Sequence, residues 1–200
     1  MALSIARLDE YPFGLTWVVD EPMMRTSHAL VVEGKVWLVD PVDEPEAIEK
    51  ATALGEPAGV LQLLDRHNRD GAKLAERFGV LHVKVPDVLP GTPFEVIPVL
   101  RWPVWHEAAL WWPEHRALVV AEAVGTNEIC TAGTGLAGVN PMLRLTPPTA
   151  LRGYTPAHLL VGHGVPLHGP QAAAGLTHAL DHARRDIPAF FTTLAKAARR

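Results

Sequence analysis

Five side chains that can bind a metal ion or move a proton stand at the ends of apolar segments in this sequence. They are Asp65, His67, Asp70, Glu122 and His163. Carboxylate oxygens and imidazole nitrogens are donors that suit zinc, iron or manganese. Asp65 and His67 are two residues apart, so in an extended segment their side chains would point the same way. If the fold gathers the ends of these segments at one rim, the sequence predicts a metal site there.

These side chains need elements that bring them together, and the apolar pattern predicts strands and helices in a definite order. Apolar and β-branched runs predict strands at 15–19, 29–32, 35–39, 60–64, 81–85, 94–99, 108–112, 117–121 and 158–161. Helical patterns cover 44–54, 71–78, 171–185 and 189–198, with Asp43 capping the first and Pro188 separating the last two. The stretch 125–156 is predicted to be a long loop that faces the site. This order predicts two β-sheets packed face to face with helices outside.

Four segments carry motifs that can be compared with known families. The first, 26–41, is a hairpin whose second strand ends in Asp-Pro, and the second, 63–71, reads Leu-Leu-Asp-Arg-His-Asn-Arg-Asp-Gly. The third combines Pro-Glu at 113–114 with the strand 118–122, and the fourth is Gly-His-Gly-Val-Pro at 162–166. Together they resemble the metallo-β-lactamase superfamily. The resemblance implies a single α+β domain over 1–200, a four-layer αββα sandwich of the metallo-β-lactamase type.

The resemblance also implies a set of metal ligands. His67 matches the second His of the His-x-His-x-Asp-His signature of the family, and Asp65 stands in place of the first. His163 matches the terminal His ligand, and Glu122 stands in place of a bridging Asp. We therefore expect Asp65, His67, Glu122 and His163 to hold a metal ion.

Further pocket residues follow from the same alignment of motifs. Pro103 falls at another His position of the family, where His106 or Glu107 could substitute. These two neighbours lie on opposite faces of a strand, so at most one of them can face the rim. Asp40, which ends the first hairpin, is expected to line the same pocket.

Arg69 limits the number of metal ions that the site can hold, because it stands where the family places an Asp ligand for a second ion. At an effective dielectric constant near 20, a guanidinium about 4 Å from a dication is repelled by about 8 kcal/mol. We therefore expect one zinc, iron or manganese ion, or none. Arg69 and Asp70 are candidate catalytic residues, with Arg69 binding a substrate anion or pairing with Asp65, Asp70 or Glu122.

Each candidate also has a purely structural interpretation, which the sequence leaves open. His67 could fix the loop after a strand, Asp70 could cap the helix that follows it, and Glu122 could end in solvent. The functional hypotheses are correspondingly two. One is a hydrolase that cleaves a small ester, thioester, amide or phosphoester, and the alternative is a metal-free, non-catalytic binding or regulatory protein with the same fold.

Composition excludes several other classes of function. The formal net charge is −4, and the basic residues are not clustered, so nucleic acid is not an expected partner. No apolar run is long enough to suggest a membrane span, and Arg7, Asp9 and Glu10 interrupt the start, where a signal peptide would be apolar. We expect a cytoplasmic protein that binds a small molecule. A homo-oligomer is left open.

Overall fold

The structure is a computed structural model that describes residues 4–197. In chain order its strands are β1 (Ile5–Tyr11), β2 (Gly14–Val19), β3 (Thr26–Val32), β4 (Lys35–Val39), β5 (Glu56–Gln62), β6 (Leu81–Lys84), β7 (Glu95–Trp102), β8 (Trp105–Trp112), β9 (Ala117–Val120), β10 (Val124–Gly125), β11 (Gly138–Val139), β12 (His158–Val161) and β13 (Leu167–His168). Its helices are α1 (Pro45–Ala53), α2 (Gly71–Phe78), α3 (Glu128–Thr131), α4 (Pro170–His182) and α5 (Ile187–Ala197), with two 3₁₀ turns at Pro141–Leu143 and Thr149–Leu151.

The first sheet contains β1 to β6 in sequence order. β1 to β4 pair antiparallel, whereas β4, β5 and β6 run parallel because α1 and α2 provide the crossovers. The turn between β3 and β4 is Glu33-Gly34, and both residues have positive φ values, 51° and 77°. Two such residues are what a tight two-residue hairpin requires. The predicted hairpin is therefore present.

The second sheet has the order β13-β12-β9-β8-β7. β12 runs parallel to β9, with Leu160 opposite Val119 and Val161 opposite Val120. The two strands consequently end at the same edge of the sheet. Whatever follows them in the chain begins at one rim of the domain.

The apolar faces of the two sheets form the central core. Leu30 and Leu61 of the first sheet share one buried cluster with Leu110, Val119 and Leu160 of the second. A second cluster lies on the outer face of the first sheet, where α1 and α2 cover it; it includes Trp17, Leu38, Ile48 and Leu74. On the other side, α4 packs against β11, β12 and β13. The α+β sandwich with four layers, αββα, is confirmed.

Most predicted elements are present, and the differences have local causes. Helix α2 has the predicted bounds and ends at Gly79, whose φ is 64°. Asp43 does not cap α1: the carboxylate of Glu44 accepts the hydrogen bond from the Ala47 amide. Pro188 does not separate the last two helices either, because it lies in the first turn of α5, where a proline costs no helical hydrogen bond.

Five short or edge elements were not predicted: the strands β1, β10, β11 and β13 and the one-turn helix α3. The predicted helical residue Ala198 lies outside the described residues. Within 4–197, no helix is both long and apolar enough to cross a bilayer.

Candidate metal centre

Three side chains meet at the rim where β5, β9 and β12 end. Glu122 follows β9 by two residues, and His163 follows β12 by two residues. His67 lies in a turn after β5, in which its amide donates to the carbonyl of Leu64 at 3.0 Å. The parallel register of β9 and β12 places Glu122 and His163 side by side, and the turn brings His67 to them from the other sheet. We call these three residues the triad.

The spacing of the triad fits a single small metal ion. One donor atom from each residue lies within 4.8 Å of the other two. The Nε2 atoms of His67 and His163 are 3.4 Å apart, and Nε2 of His67 is 3.5 Å from Oε2 of Glu122. Tetrahedral zinc with bonds of about 2.0–2.1 Å separates its ligand atoms by about 3.3 Å. An octahedral ion with similar bonds would bring neighbouring ligands to about 3.0 Å. Two imidazoles and one carboxylate are also a common protein ligand set for catalytic zinc.

Outer hydrogen bonds orient every member of the triad. Nδ1 of His67 donates to Oδ2 of Asp40 at 3.0 Å, and Nδ1 of His163 donates to the carbonyl of Met23 at 3.0 Å. Each Nε2 therefore keeps its lone pair for a ligand. The side-chain amide of Asn140 donates to Oε1 of Glu122 at 3.2 Å. Partners of this type fix the tautomer and the orientation of metal ligands.

Burial and neighbouring charges shift the pKa values of these groups in different directions. Burial lowers the pKa of His163 to about 4, with help from the positive charges of Arg69 and His67. Burial also acts to lower the pKa of His67, but the carboxylates of Asp40 and Glu122 together outweigh it, so that this pKa is raised. Burial acts to raise the pKa of Asp40, but His67, Arg69 and the Leu63 amide together outweigh that effect, so that this pKa is lowered. At neutral pH, His163 is an uncharged ligand and Asp40 is ionised.

The chain resembles solved structures in fold, whereas its sequence has no match. No family model and no curated protein sequence matches the chain. Among solved structures, the DIM-1 metallo-β-lactamase exposed to ceftazidime superposes with a TM-score of 0.60 at 13% identity, over 92% of this chain and 98% of that one. The chain has the metallo-β-lactamase fold.

Two further structural neighbours with this fold were solved with metal bound. The FIM-1 metallo-β-lactamase from Pseudomonas aeruginosa, solved in a mono-zinc form, has a TM-score of 0.57 at 10% identity and covers 92% of this chain and 97% of its own. The diiron chemotaxis sensor ODP has a TM-score of 0.53 at 13% identity and covers 87% and 93%. At such identities the likeness shows the metallo-β-lactamase fold alone. The ligands must be argued from this chain's own residues.

Arg69 lies beside the triad but does not make the predicted ion pairs. Its guanidinium donates to three main-chain carbonyls: Thr26 at 2.6 Å, Asp40 at 2.7 Å and Gly162 at 2.9 Å. The predicted pairing with Asp65, Asp70 or Glu122 is wrong. The reason is that three main-chain carbonyls lie within reach of the buried guanidinium and bind its two NH₂ groups, although the carbonyl of Asp40 also accepts from the Ser27 hydroxyl at 2.9 Å and that of Gly162 from the Thr26 amide at 2.8 Å.

Asp65 and Asp70 do not join the triad, contrary to their predicted places. The segment after β5 is a turn and not an extended strand, so Asp65 and His67 point in different directions. Oδ2 of Asp65 accepts from the His106 amide at 3.0 Å. Oδ2 of Asp70 accepts from the Asp43 amide at 2.9 Å, and it makes no capping bond to α2. Both carboxylates stabilise loops of the metallo-β-lactamase fold.

His106 and Glu107 lie on opposite faces of β8, as predicted, but neither reaches the triad. His106 is exposed, and Glu107 is fully buried. The prediction that one of them replaces a histidine ligand is wrong, because Glu107 faces inward beneath the rim. Pro103 lies in the exposed turn between β7 and β8. Asp40, predicted to line the pocket, is buried against His67.

Two residues that contact the triad were missed by sequence reasoning. Asn140 directly follows β11, in the stretch predicted as a loop, and it precedes a proline, a signal for a turn but not for a site. Arg66 places its Nε 3.6 Å from Oε2 of Glu122, and its guanidinium stacks on the Trp105 ring at 3.8 Å from the ring centroid. Only its position next to His67 could have drawn attention to Arg66.

Proposed function

We propose that this protein is a hydrolase that uses one metal ion to cleave a small ester, thioester, amide or phosphoester. His67, Glu122 and His163 would hold the ion. The observation that carries the proposal is the spacing of the triad, 3.4 and 3.5 Å between donor atoms, with an outer hydrogen bond on each member. That spacing favours zinc over the alternatives, iron and manganese.

The residues around the triad support this chemistry. A metal ion held there would lower the pKa of water towards neutrality, which is how metallohydrolases obtain a nucleophile. Asp40 holds the His67 ring with Nε2 towards the site, and the Met23 carbonyl does the same for His163. Both imidazoles are only 8% exposed, so bulk water has little access to the ligand atoms. Arg66, whose side chain is 39% exposed, presents a positive charge to a substrate oxygen at the mouth of the site.

The site is proposed to hold only one ion, because a positive charge lies beside it and the carboxylates for a second ion are missing. The positive charge of Arg69 acts to lower the pKa of both His67 and His163, although the neighbouring carboxylates raise the pKa of His67 overall. A second dication beside the first would be repelled by that charge. Asp65 and Asp70, which might have held it, are bound to main-chain amides elsewhere.

A second function, a metal-free binding or regulatory protein, is supported by a different observation. His67 has a raised pKa and lies between the carboxylates of Asp40 and Glu122. A protonated His67 would form ion pairs with both acids and offset one of their two negative charges without an ion. The triad would then be a buried polar network that shapes a pocket for a small molecule.

The two functions are separated by measuring turnover and metal content on the same samples. Purified protein, stripped with a chelator and reloaded with zinc, iron(II) or manganese(II), is assayed with p-nitrophenyl acetate, an acyl thioester, an anilide and bis-p-nitrophenyl phosphate. We expect zinc-dependent cleavage of at least one class, which Glu122→Gln abolishes. The matched control is Glu128→Gln, an exposed glutamate outside the triad. Bound metal or turnover that survives in Glu122→Gln would contradict the proposal. Wild-type protein that has neither bound metal nor turnover would support the binding protein.

A further inference from the structure

Glu107 is a fully buried carboxylate just beneath the triad. It has no solvent exposure, and such a group is costly to bury without hydrogen-bond partners. Its Oε1 accepts from the main-chain amides of Glu122 and Ala123, both at 2.9 Å. Its Oε2 accepts from the indole nitrogen of Trp105 at 2.8 Å. One side chain thus fixes the main chain at the point where it carries the Glu122 carboxylate.

The main chain of Glu107 contacts the segment that leads to His67. Glu107 pairs with Leu64 in an isolated antiparallel bridge, and the amide of Ala108 donates to the carbonyl of Leu63 at 2.9 Å. Glu107 therefore joins two segments from different sheets. One segment leads to His67 and the other carries Glu122.

A second connection runs from the same strand to Glu122 through side chains. Trp105, which donates to Glu107, also supports the guanidinium of Arg66, and Arg66 lies 3.6 Å from the Glu122 carboxylate. The Glu122 side chain is thus held at its base by Glu107 and near its tip by Arg66. Loss of Glu107 would loosen the base while leaving the triad residues unchanged.

We propose that Glu107 is a positioning residue that sets the place of the Glu122 carboxylate relative to His67 and His163. It acts through the main chain of Glu122 and Ala123 and touches neither the metal nor the substrate. The part of this inference that concerns metal affinity rests on the proposed function. The part that concerns the Glu122 main chain holds for the metal-free protein as well.

The test is Glu107→Gln, which keeps size and shape. A glutamine in this place must turn its NH₂ group either towards the indole N–H of Trp105 or towards the two main-chain amides, and in both orientations donors face donors. Loss of an outer partner of a metal ligand typically weakens metal binding by about 10–100-fold. We expect that loss for zinc, measured by competition with a chromogenic chelator. We also expect a changed d–d absorption spectrum when cobalt(II) replaces zinc, because the carboxylate ligand moves.

A control and a rescue separate positioning from general destabilisation. Asp186→Asn also converts a buried carboxylate to an amide, at a site where Thr134 is its side-chain partner, and should leave zinc affinity unchanged. Adding Trp105→Phe to Glu107→Gln removes the opposed indole N–H, and zinc affinity should partly recover. If Glu107→Gln does not fold, Trp105→Phe alone removes one of the three bonds, and a smaller loss of affinity is expected. Wild-type affinity in Glu107→Gln, or in Trp105→Phe when only that variant folds, would overturn the proposal.

A different measurement tests the role of Glu107 if the proposed function is wrong. If the wild-type protein binds no zinc, amide hydrogen exchange is measured at Glu122 and Ala123 in the metal-free protein. Faster exchange at these two amides in Glu107→Gln than in Asp186→Asn supports positioning by Glu107. Equal exchange in the two variants would overturn it.

Discussion

Asp40 controls which nitrogen of His67 carries the proton, and Asp40→Asn tests that control. In the structure, Oδ2 of Asp40 accepts from Nδ1 of His67 at 3.0 Å, while Oδ1 accepts from the Leu63 amide at 3.0 Å. An asparagine that keeps the bond to Leu63 must turn its NH₂ group towards His67. Nδ1 would then have to accept, and the proton would move to Nε2. The nitrogen that faces His163 and Glu122 would become a donor and could not bind a metal.

This change of tautomer in Asp40→Asn should affect stability, zinc affinity and the pKa of His67. The variant retains one neutral hydrogen bond in place of a charged one, so we expect the free energy of unfolding to fall by about 1–3 kcal/mol. For a chain of this length, that lowers Tm by about 2–4 °C per kcal/mol. Zinc affinity should fall by about 10–100-fold, since His67 must give up its preferred tautomer before it binds. The pKa of His67 should also fall, because the carboxylate that raises it is removed.

Two measurements check this prediction. Zinc affinity is determined by chelator competition, and the tautomer of His67 is read from two-bond ¹H–¹⁵N correlations of the imidazole ring. Unchanged zinc affinity, together with a proton that stays on Nδ1 in Asp40→Asn, would refute the reasoning. The exposed variant Asp87→Asn serves as the control for a general effect of removing an acid.

Three other predictions concern charge and pH. Arg69→Gln should lower the free energy of unfolding by about 3 kcal/mol in urea denaturation, because it removes three charged hydrogen bonds to main-chain carbonyls, and a change of less than about 1 kcal/mol would contradict the contacts described. Zinc affinity should rise about tenfold per pH unit while the pH is below the raised pKa of His67, because protons then compete with metal for this imidazole; affinity that is constant from about pH 5 to pH 8 would argue against His67 as a ligand. Burial lowers the pKa of His28 to about 3, so its contribution to stability is complete above pH 6.5 and is lost as pH falls towards 3, with a slope of up to about 1.4 kcal/mol per pH unit. His28→Gln should flatten that slope, and an unchanged slope would assign acid sensitivity to other groups.

Strand ends were predictable from the sequence, and so was the meeting of His67, Glu122 and His163. Each of them follows an apolar segment, and parallel neighbouring strands must end together. The apolar pattern identifies such segments because a strand buried on both faces has few polar residues. The motif around His163 then fixed which rim carries the site.

The directions of individual side chains were not predictable, and the errors share a physical cause. Asp65 turns away from His67 because the chain forms a turn there, and Asp70 binds a loop amide that only the tertiary structure brings near. Arg69 binds main-chain carbonyls next to strand ends. Spacing in the sequence gives no indication of which main-chain groups lie within reach of a side chain, and these groups compete with the expected partners.

The number of zinc ions bound per chain tests the account most directly. Protein that has been stripped with a chelator, dialysed against zinc and freed of excess metal is analysed for elemental zinc, with His163→Ala and the control Glu128→Gln treated in parallel. We expect one equivalent in the wild type and in the control, and none in His163→Ala, with all three proteins folded by circular dichroism. Two equivalents in the wild type, or one equivalent retained by His163→Ala, would contradict the single-ion triad.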